Sequence, residues 1–480
     1  MTNLHELSAL DLAAAVRRGE ASPHEVVRHT LDRARRLGPQ VGAFVHLAEE
    51  RAYAQAVEAE EQLAAVGGAG DGLPPFLGVP VPVKDLTMVA GLPFEAGSAA
   101  LAGFVAPVDD GVVTLLRAAG TFMVGKTTTP ELGLPPYTEP DVAPPARTPW
   151  DLSRTAGGSS GGAAAAVAAG IVPAAHGSDG GGSLRIPAAA CGLVGLKPSR
   201  GRVSHGPHGV AGSGLATDGV LTRTVADAAA FLDVLAQPWP GDHYVVPGPR
   251  NSFLEAARSK PQGLRIGVLL DPVVVADAPV HAGARAAVER AVRLLEGLGH
   301  HVAEAPVPFA PEQWDAFMPL WSVGVLQAPV PREREELLVP LTRWMREIGR
   351  SFTALDHADA VSGLQRLARQ TALAWSAFDV VLSPTLAQPP VAVGAMRDDA
   401  DPARDFQAQK AFTPWTSPWN IVGAPAISLP LHREEVDGVE LPFGVMLGAR
   451  LGREEVLLGL AAQLEAADPW PHFAPGYPRD

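Results

Sequence analysis

Along the chain, short apolar runs alternate with helix-length stretches in which apolar residues recur every three or four positions. Residues 8–18 are one such stretch. Ser22, Pro23 and Glu25 open a second through a capping box, Val27, Leu31, Ala34 and Leu37 share its apolar face, and Gly38-Pro39 mark its expected end. A third helix is expected over 47–66, followed by a Gly/Pro loop over 67–75. Residues 76–83 alternate apolar side chains with two prolines, the mark of an edge strand or an irregular extended segment, and lead into Lys84-Asp85. A helix over 111–119 and a short strand over 121–124 come next, then a proline-rich loop over 130–149.

Downstream, the pattern predicts a strand and turn over 195–203. A helix over 224–235 has Thr224 and Asp227 in its first turn, and a Pro/Gly-rich connection covers 237–251. A strand over 264–270 precedes helices at 280–298, 311–325, 332–350 and 355–378. Strands at 380–382 and 425–431 follow, and Asp437-Gly438 turns a hairpin into 442–447 before a last helix at 454–465. Strands and helices mixed throughout, with no internal repeat, place the chain in the α/β class.

Composition narrows the function classes. At 480 residues and 47% hydrophobic content the chain can bury a large core, and a formal charge of -14 with no Lys/Arg stripe argues against a nucleic-acid surface. The first residues do not read as a signal peptide, and no apolar run is long enough for a bilayer, so no membrane association and a cytoplasmic protein are expected. The single cysteine, Cys191, cannot form an internal disulfide and lies in an apolar stretch that reads as packing. Only five lysines stand beside 33 arginines. A lysine kept in such a background marks a place for an amine that can lose its proton, and Lys84 is the first candidate.

The candidate chemistry lies between Gly157 and Pro187, where two serine-bearing glycine clusters flank one alanine-rich segment of helix length. Gly180, Gly181 and Gly182 run into Ser183, setting unshielded N–H donors beside a hydroxyl at the entrance to a helix, the composition of an oxyanion hole next to a nucleophile. Ser159 and Ser160 precede the alanine segment, where one can cap the helix while the other serves the chemistry. A serine needs a base. His176 and His205 have no acid partner suggested beside them and read as structural, whereas Lys84, at the end of an apolar segment, can serve if burial lowers its pKa. Its alternative is an ion pair with Asp85. Gly120 to Thr127 formally matches a phosphate loop, but its apolar interior and Pro130 argue against one, and no residue cluster has metal-ligand spacing.

Taken together, VPVKDL at 81–86, GGSSGG at 157–162 and GSDGGGSLRIPA at 177–188 resemble the amidase signature family. Similarity extends over GKTTTPE at 125–131, GLVGLKPSRGRVS at 192–204 and NIVGAPAISLPL at 420–431. The resemblance implies an α/β fold with a large mixed sheet between helical layers, no cofactor and no metal. It makes Ser183 the nucleophile, Ser159 a bridging serine in a cis peptide, and Lys84 the base, with oxyanion donors at Gly180, Gly181, Gly182 and Ser183. Asp179 and Arg185 are expected to fix the glycine loop, with a plain ion pair as the other reading. Residues 1–66 would form a helical segment packed on the core or on a second subunit of a homodimer, and 67–480 the catalytic domain, with an internal boundary near 237–263.

The loop has one glycine more than the family commonly shows, at Gly180, and Ser178 stands where threonine is frequent. These features look most like 6-aminohexanoate-cyclic-dimer hydrolases. The expected reaction is hydrolysis of a linear or cyclic amide, apolar or uncharged because no paired charges stand out. The pocket is expected from the 130–149 loop, Trp321 and residues 413–420. The alternatives are a glutaminase subunit of an aminoacyl-tRNA amidotransferase and a silent amide-binding homologue.

Overall fold

A computed structural model describes residues 3–66, 72–210 and 212–477. The strands among them are β1 (Phe44–Leu47), β2 (Val83–Lys84), β3 (Gly125–Thr127), β4 (Ala174–Asp179), β5 (Val194–Lys197), β6 (Thr217–Thr222), β7 (Arg265–Val268), β8 (His301–Glu304), β9 (Val380–Pro384), β10 (Ala426–Val436) and β11 (Val439–Ala449). Eight form one mixed sheet in the order β4-β6-β5-β10-β11-β9-β7-β8. The pairs from β4 to β9 are antiparallel, and β9, β7 and β8 are parallel. The connection over 237–263 leads from β4–β6 to β7–β11 within this one sheet.

Side-chain alternation builds the two helical layers. Ile427, Leu429 and Leu431 on β10, with Phe443, Val445 and Leu447 on β11, join a core that also contains helices Val225–Leu235, Ala282–Gly297 and Glu454–Ala467. On the other face a Cβ at Gly444 would lie 2.7 Å from Ala189, so the absence of a side chain lets helix Arg185–Cys191 sit directly on the sheet. Helix Gly161–Ala168 is buried along its whole length among β4, helix Arg185–Cys191 and helix Pro23–Val41, which explains its nearly uniform alanine content.

A small second sheet carries the candidate lysine. Its order is β1-β3-β2, with β2 parallel to β3 in the register Lys84 opposite Thr127. It docks on the edge of β4, where the His176 N–H donates to the Pro82 carbonyl at 3.0 Å. The first helix, Ala9–Arg17, is tied to the same body by Asp227, whose carboxylate accepts the N–H groups of Ala9 and Leu10, each at 3.0 Å. Among the described residues no helix is long and apolar enough to cross a membrane.

Several expected boundaries move. Helix Pro23–Val41 runs through Gly38-Pro39 and stops at Gly42, whose left-handed φ of 61° packs it against the Pro145 carbonyl. Pro39 forfeits one N–H, but Leu37 and Val41 are buried on the same helix and hold the last turn. The strand expected at 121–124 is displaced to β3, leaving Phe122 in a single bridge with Pro80, and 76–83 is irregular up to β2. The expected helix at 311–325 is broken at 315–317, and that at 332–350 starts as a tight turn before Pro340–Ser351. Part of the 67–75 loop lies outside the described residues.

Candidate active site

The glycine loop leaves the end of β4 and enters helix Arg185–Cys191, with Asp179 and Arg185 as its two anchors. Both side chains are wholly buried and meet in a two-pronged pair, with Arg185 donating to both Asp179 oxygens at 2.9 Å. Burial alone would raise the Asp179 pKa; the guanidinium overrides it and brings it down to about 2. The carboxylate also accepts the N–H of Gly182 at 2.8 Å and of Leu184 at 3.1 Å. The pair therefore fixes loop backbone as well as pairing charges. Arg185 reaches further, donating to the Thr416 carbonyl at 2.8 Å and to Asn420 Oδ1 at 2.7 Å.

Gly182 has a φ of 139°, and a Cβ there would fall 2.7 Å from the Thr416 side chain. Its N–H is already committed to Asp179, so of the four expected oxyanion donors it is the one turned inward. The N–H groups of Gly180, Gly181 and Ser183 donate to no acceptor among the described residues.

Lys84 lies opposite this loop at the end of β2, with 0% of its surface exposed. Its Nζ donates to Ser159 Oγ at 2.8 Å and Ser178 Oγ at 3.1 Å, with the Ser178 carbonyl at 3.5 Å. Burial lowers its pKa to about 7 against the opposing pull of Asp179 and Asp218. The alternative pairing with Asp85 is not found, because Asp85 takes the ammonium of Lys126 at 2.6 Å in a buried pair. Lys126 is thereby bound up in the fold, and the phosphate-loop match has no anion-binding role here.

The Gly158–Ser159 peptide is cis. A Cβ at Gly158 would lie 2.8 Å from the Tyr137 nitrogen, so the chain passes too close to the 135–137 segment for any other residue. Ser160, the position expected to cap the alanine helix, makes no capping bond; its Oγ donates to the Ser178 carbonyl at 3.2 Å and ties the two glycine clusters together.

Ser178 is the contact that sequence reasoning missed. Its place two residues before the glycine run carries no signal beyond its position on β4. The two histidines also differ from the reading that they lack an acid. Asp218, on the neighbouring β6, lies 3.2 Å from His176 Nε2 and 3.6 Å from His205 Nδ1. His176 Nδ1 accepts the backbone N–H of Lys84 at 3.4 Å, so this cluster braces the strand that carries the lysine. Cys191 is buried and burial pushes its thiol up to about 12, in keeping with packing. Among the described residues no His/Cys/Asp/Glu group is placed to hold a metal.

Ser159, Ser178, Gly180 and Ser183 form one wall of a cavity of about 560 Å³, whose other walls include Leu86, Phe94, Leu132, Leu320 and Trp321. A smaller chamber of about 70 Å³ meets it at Leu134, Ser183 and Trp321 and extends to Trp314, Phe406 and Lys410. The 130–149 loop, Trp321 and residues Thr413 and Ser417 all contribute walls. The 86–101 segment and Lys410 contribute as well, and no motif pointed to them.

Comparison with known proteins places this architecture. The amidase family model matches residues 25–458. The chain is 40% identical to a putative amidase of Synechocystis sp., over 97% of this chain and 89% of that one. It is 36% identical to the 6-aminohexanoate-cyclic-dimer hydrolase of Paenarthrobacter ureafaciens, over 95% of this chain and 94% of that one. A solved structure of 6-aminohexanoate cyclic dimer hydrolase complexed with substrate superposes with a TM-score of 0.88 at 31% identity, covering 100% of both chains. The protein is thus an amidase, a hydrolase acting on the C–N bond of amides. It belongs to the amidase signature family.

Proposed function

We propose that Ser183 carries the acyl group during amide hydrolysis, with Ser159 and a neutral Lys84 as its proton relay. The observation that carries this reading is Lys84 Nζ, wholly buried, 2.8 Å from Ser159 Oγ and with a pKa lowered to about 7. A neutral amine has two N–H bonds and one lone pair. The two Ser178 oxygens take the N–H bonds, which leaves the lone pair for the Ser159 hydroxyl.

In the first half-reaction Ser183 Oγ bonds to the amide carbon while its proton passes to Ser159 and the Ser159 proton to Lys84. The carbonyl oxygen, now anionic, is met by the free N–H groups of Gly180, Gly181 and Ser183. Collapse breaks the C–N bond, and the relay returns one proton to the departing amine. Water then attacks the ester by the same route, yielding a carboxylic acid and free Ser183. The larger cavity suits an extended, mostly apolar acyl or amine chain, and a linear or cyclic amide such as a 6-aminohexanoate oligomer is the substrate class we infer.

The test is treatment of the purified protein with a fluorophosphonate, followed by intact-mass analysis and peptide mapping, beside turnover of a small amide panel that includes glutamine. One adduct on Ser183, lost in Ser183→Ala, together with turnover of non-glutamine amides, is the expected result. Absence of an adduct, or activity confined to glutamine, overturns it in favour of a silent homologue or a glutaminase subunit.

A further inference from the structure

Lys410 is the second lysine at the cavity, and it does nothing that the proposed reaction requires. It lies on helix Pro402–Phe412 and lines the small chamber that opens at Ser183. Its ammonium stands 5.5 Å from the ring centre of Trp314 and 5.7 Å from that of Phe406. It makes no hydrogen bond and no ion pair with any described residue. Asp315 exerts a long-range pull, but no carboxylate comes within salt-bridge distance.

The other polar groups nearby are already engaged. Gln409 Nε2 donates to Asp405 at 2.6 Å, and Asp405 also accepts from the Tyr137 hydroxyl at 2.6 Å. Trp314 Nε1 donates to Ser417 Oγ at 2.9 Å. Lys410 is therefore a half-buried cation at the wall of an aromatic chamber, with no acceptor among the described residues. Ring faces offset part of what burial costs an ammonium but supply no hydrogen-bond acceptor for its three N–H bonds. The chamber is small, about 70 Å³, and opens into the larger cavity beside Ser183.

The geometry points to recognition of a carboxylate by Lys410, so that the amides this site takes are linear ones with an anionic end that reaches the small chamber. This rests on Ser183 as the reacting residue. It revises the expectation of an uncharged substrate and narrows the proposed class to linear amides. The informative feature is a charge left unpaired. The carboxylate can belong to the acyl part or to the amine part of the amide, since the chamber adjoins Ser183 itself. In both cases the long apolar portion lies in the larger cavity and the anionic end in the small chamber.

Two matched substrate pairs test this. Succinyl-p-nitroanilide against butyryl-p-nitroanilide places the charge on the acyl side, and N-butyryl-4-aminobenzoate against N-butyryl-4-toluidide places it on the amine side. In one arm the charged member is expected to have a KM about tenfold or more below its neutral partner, as a charge-assisted bond in a partly desolvated site gives. The arm in which this occurs identifies the side. Lys410→Met should bring the KM ratio of the charged and neutral partners in that arm to about 1, and Lys410→Arg should restore part of the advantage.

A wild-type measurement stands independently of any variant's folding: one of the charged amides succinamate and 4-acetamidobenzoate should compete with the neutral anilide about tenfold better than its uncharged counterpart, butyramide or N-acetyl-4-toluidide. Equal KM values in both arms, or equal competition by the charged and uncharged amides of both pairs, overturns the inference. If the neutral substrates are still hydrolysed through Ser183 in that event, the catalytic reading survives and only the role of Lys410 falls.

Discussion

If Lys84 is the base of the proposed relay, its buried amine sets the pH range in which the enzyme works. With an ordinary pKa of 10.5, Lys84 would be about 0.3% neutral at pH 8; at about 7 it is roughly 90% neutral, a gain of about 300-fold in usable base. The sign follows from which form acts. In the proposed relay neutral Lys84 accepts the proton, so kcat/KM should rise about tenfold per pH unit below 7 and level off above about pH 8. Lys84→Met keeps the burial and removes the lone pair, and should cost about 100-fold to 10,000-fold in kcat/KM, the range for a general base. The assay is the pH dependence of kcat/KM between pH 5.5 and 9 on one neutral amide, with the rate of fluorophosphonate labelling of Ser183 as a second readout. A flat wild-type profile, or a variant with more than a tenth of wild-type activity at pH 8, would refute the reasoning.

Two further predictions concern the frame around the site. Asp179→Asn should leave Arg185 buried without its counter-ion and destabilise the protein by about 3–5 kcal/mol, measured by denaturant unfolding at pH 7; a loss below about 1 kcal/mol would show that Asn420 and Thr416 suffice to hold the guanidinium. Lys197 is a second wholly buried lysine, its pKa lowered to about 7 by burial, with Arg185 adding to the shift. Its unfolded form holds a proton between about pH 7 and 10.5 that the folded form has released, so the stability of wild type relative to Lys197→Met should rise by about 1.4 kcal/mol per pH unit from pH 7.5 to 9.5 and stay flat below 7. A constant difference across that range would mean Lys197 stays charged in the fold.

Local signals were legible where the chemistry is local. Ser22 with Glu25 forms the capping box, Thr224 caps its helix, and Asp437-Gly438 turns the hairpin between β10 and β11. The short strands β1, β6 and β8 were not seen. Each has six residues or fewer and little alternation, and their partners come from elsewhere in the chain. The glycine motif marked the site, but what holds it did not show: Asn420 donates to Asp179 across 241 positions, and Asp218 joins His176 only because β6 lies beside β4. Lys410 was just one of five lysines until helix packing brought Trp314 and Phe406 around it.

The cavity draws its two sides from different parts of the protein. Lys84 stands on the small sheet where it docks on β4, Ser159 precedes helix Gly161–Ala168, and Ser178 and the glycine loop leave the end of β4 in the large sheet. The facing surface, with Phe94, Leu320 and Trp321, comes from the 86–101 segment, which packs in a small core of its own, and from the helix Met318–Leu326, which packs in the core on the Val381, Ala426 and Met446 face of the large sheet. Chemistry and selectivity are therefore separable in part under mutation. Trp321 abuts the glycine loop at Gly180 and is tied to the chemistry, whereas Phe94 and Leu320 line the cavity away from Lys84, so a lineage with this plan can acquire new amides by changing side chains at such positions while inheriting the hydroxyls and the amine.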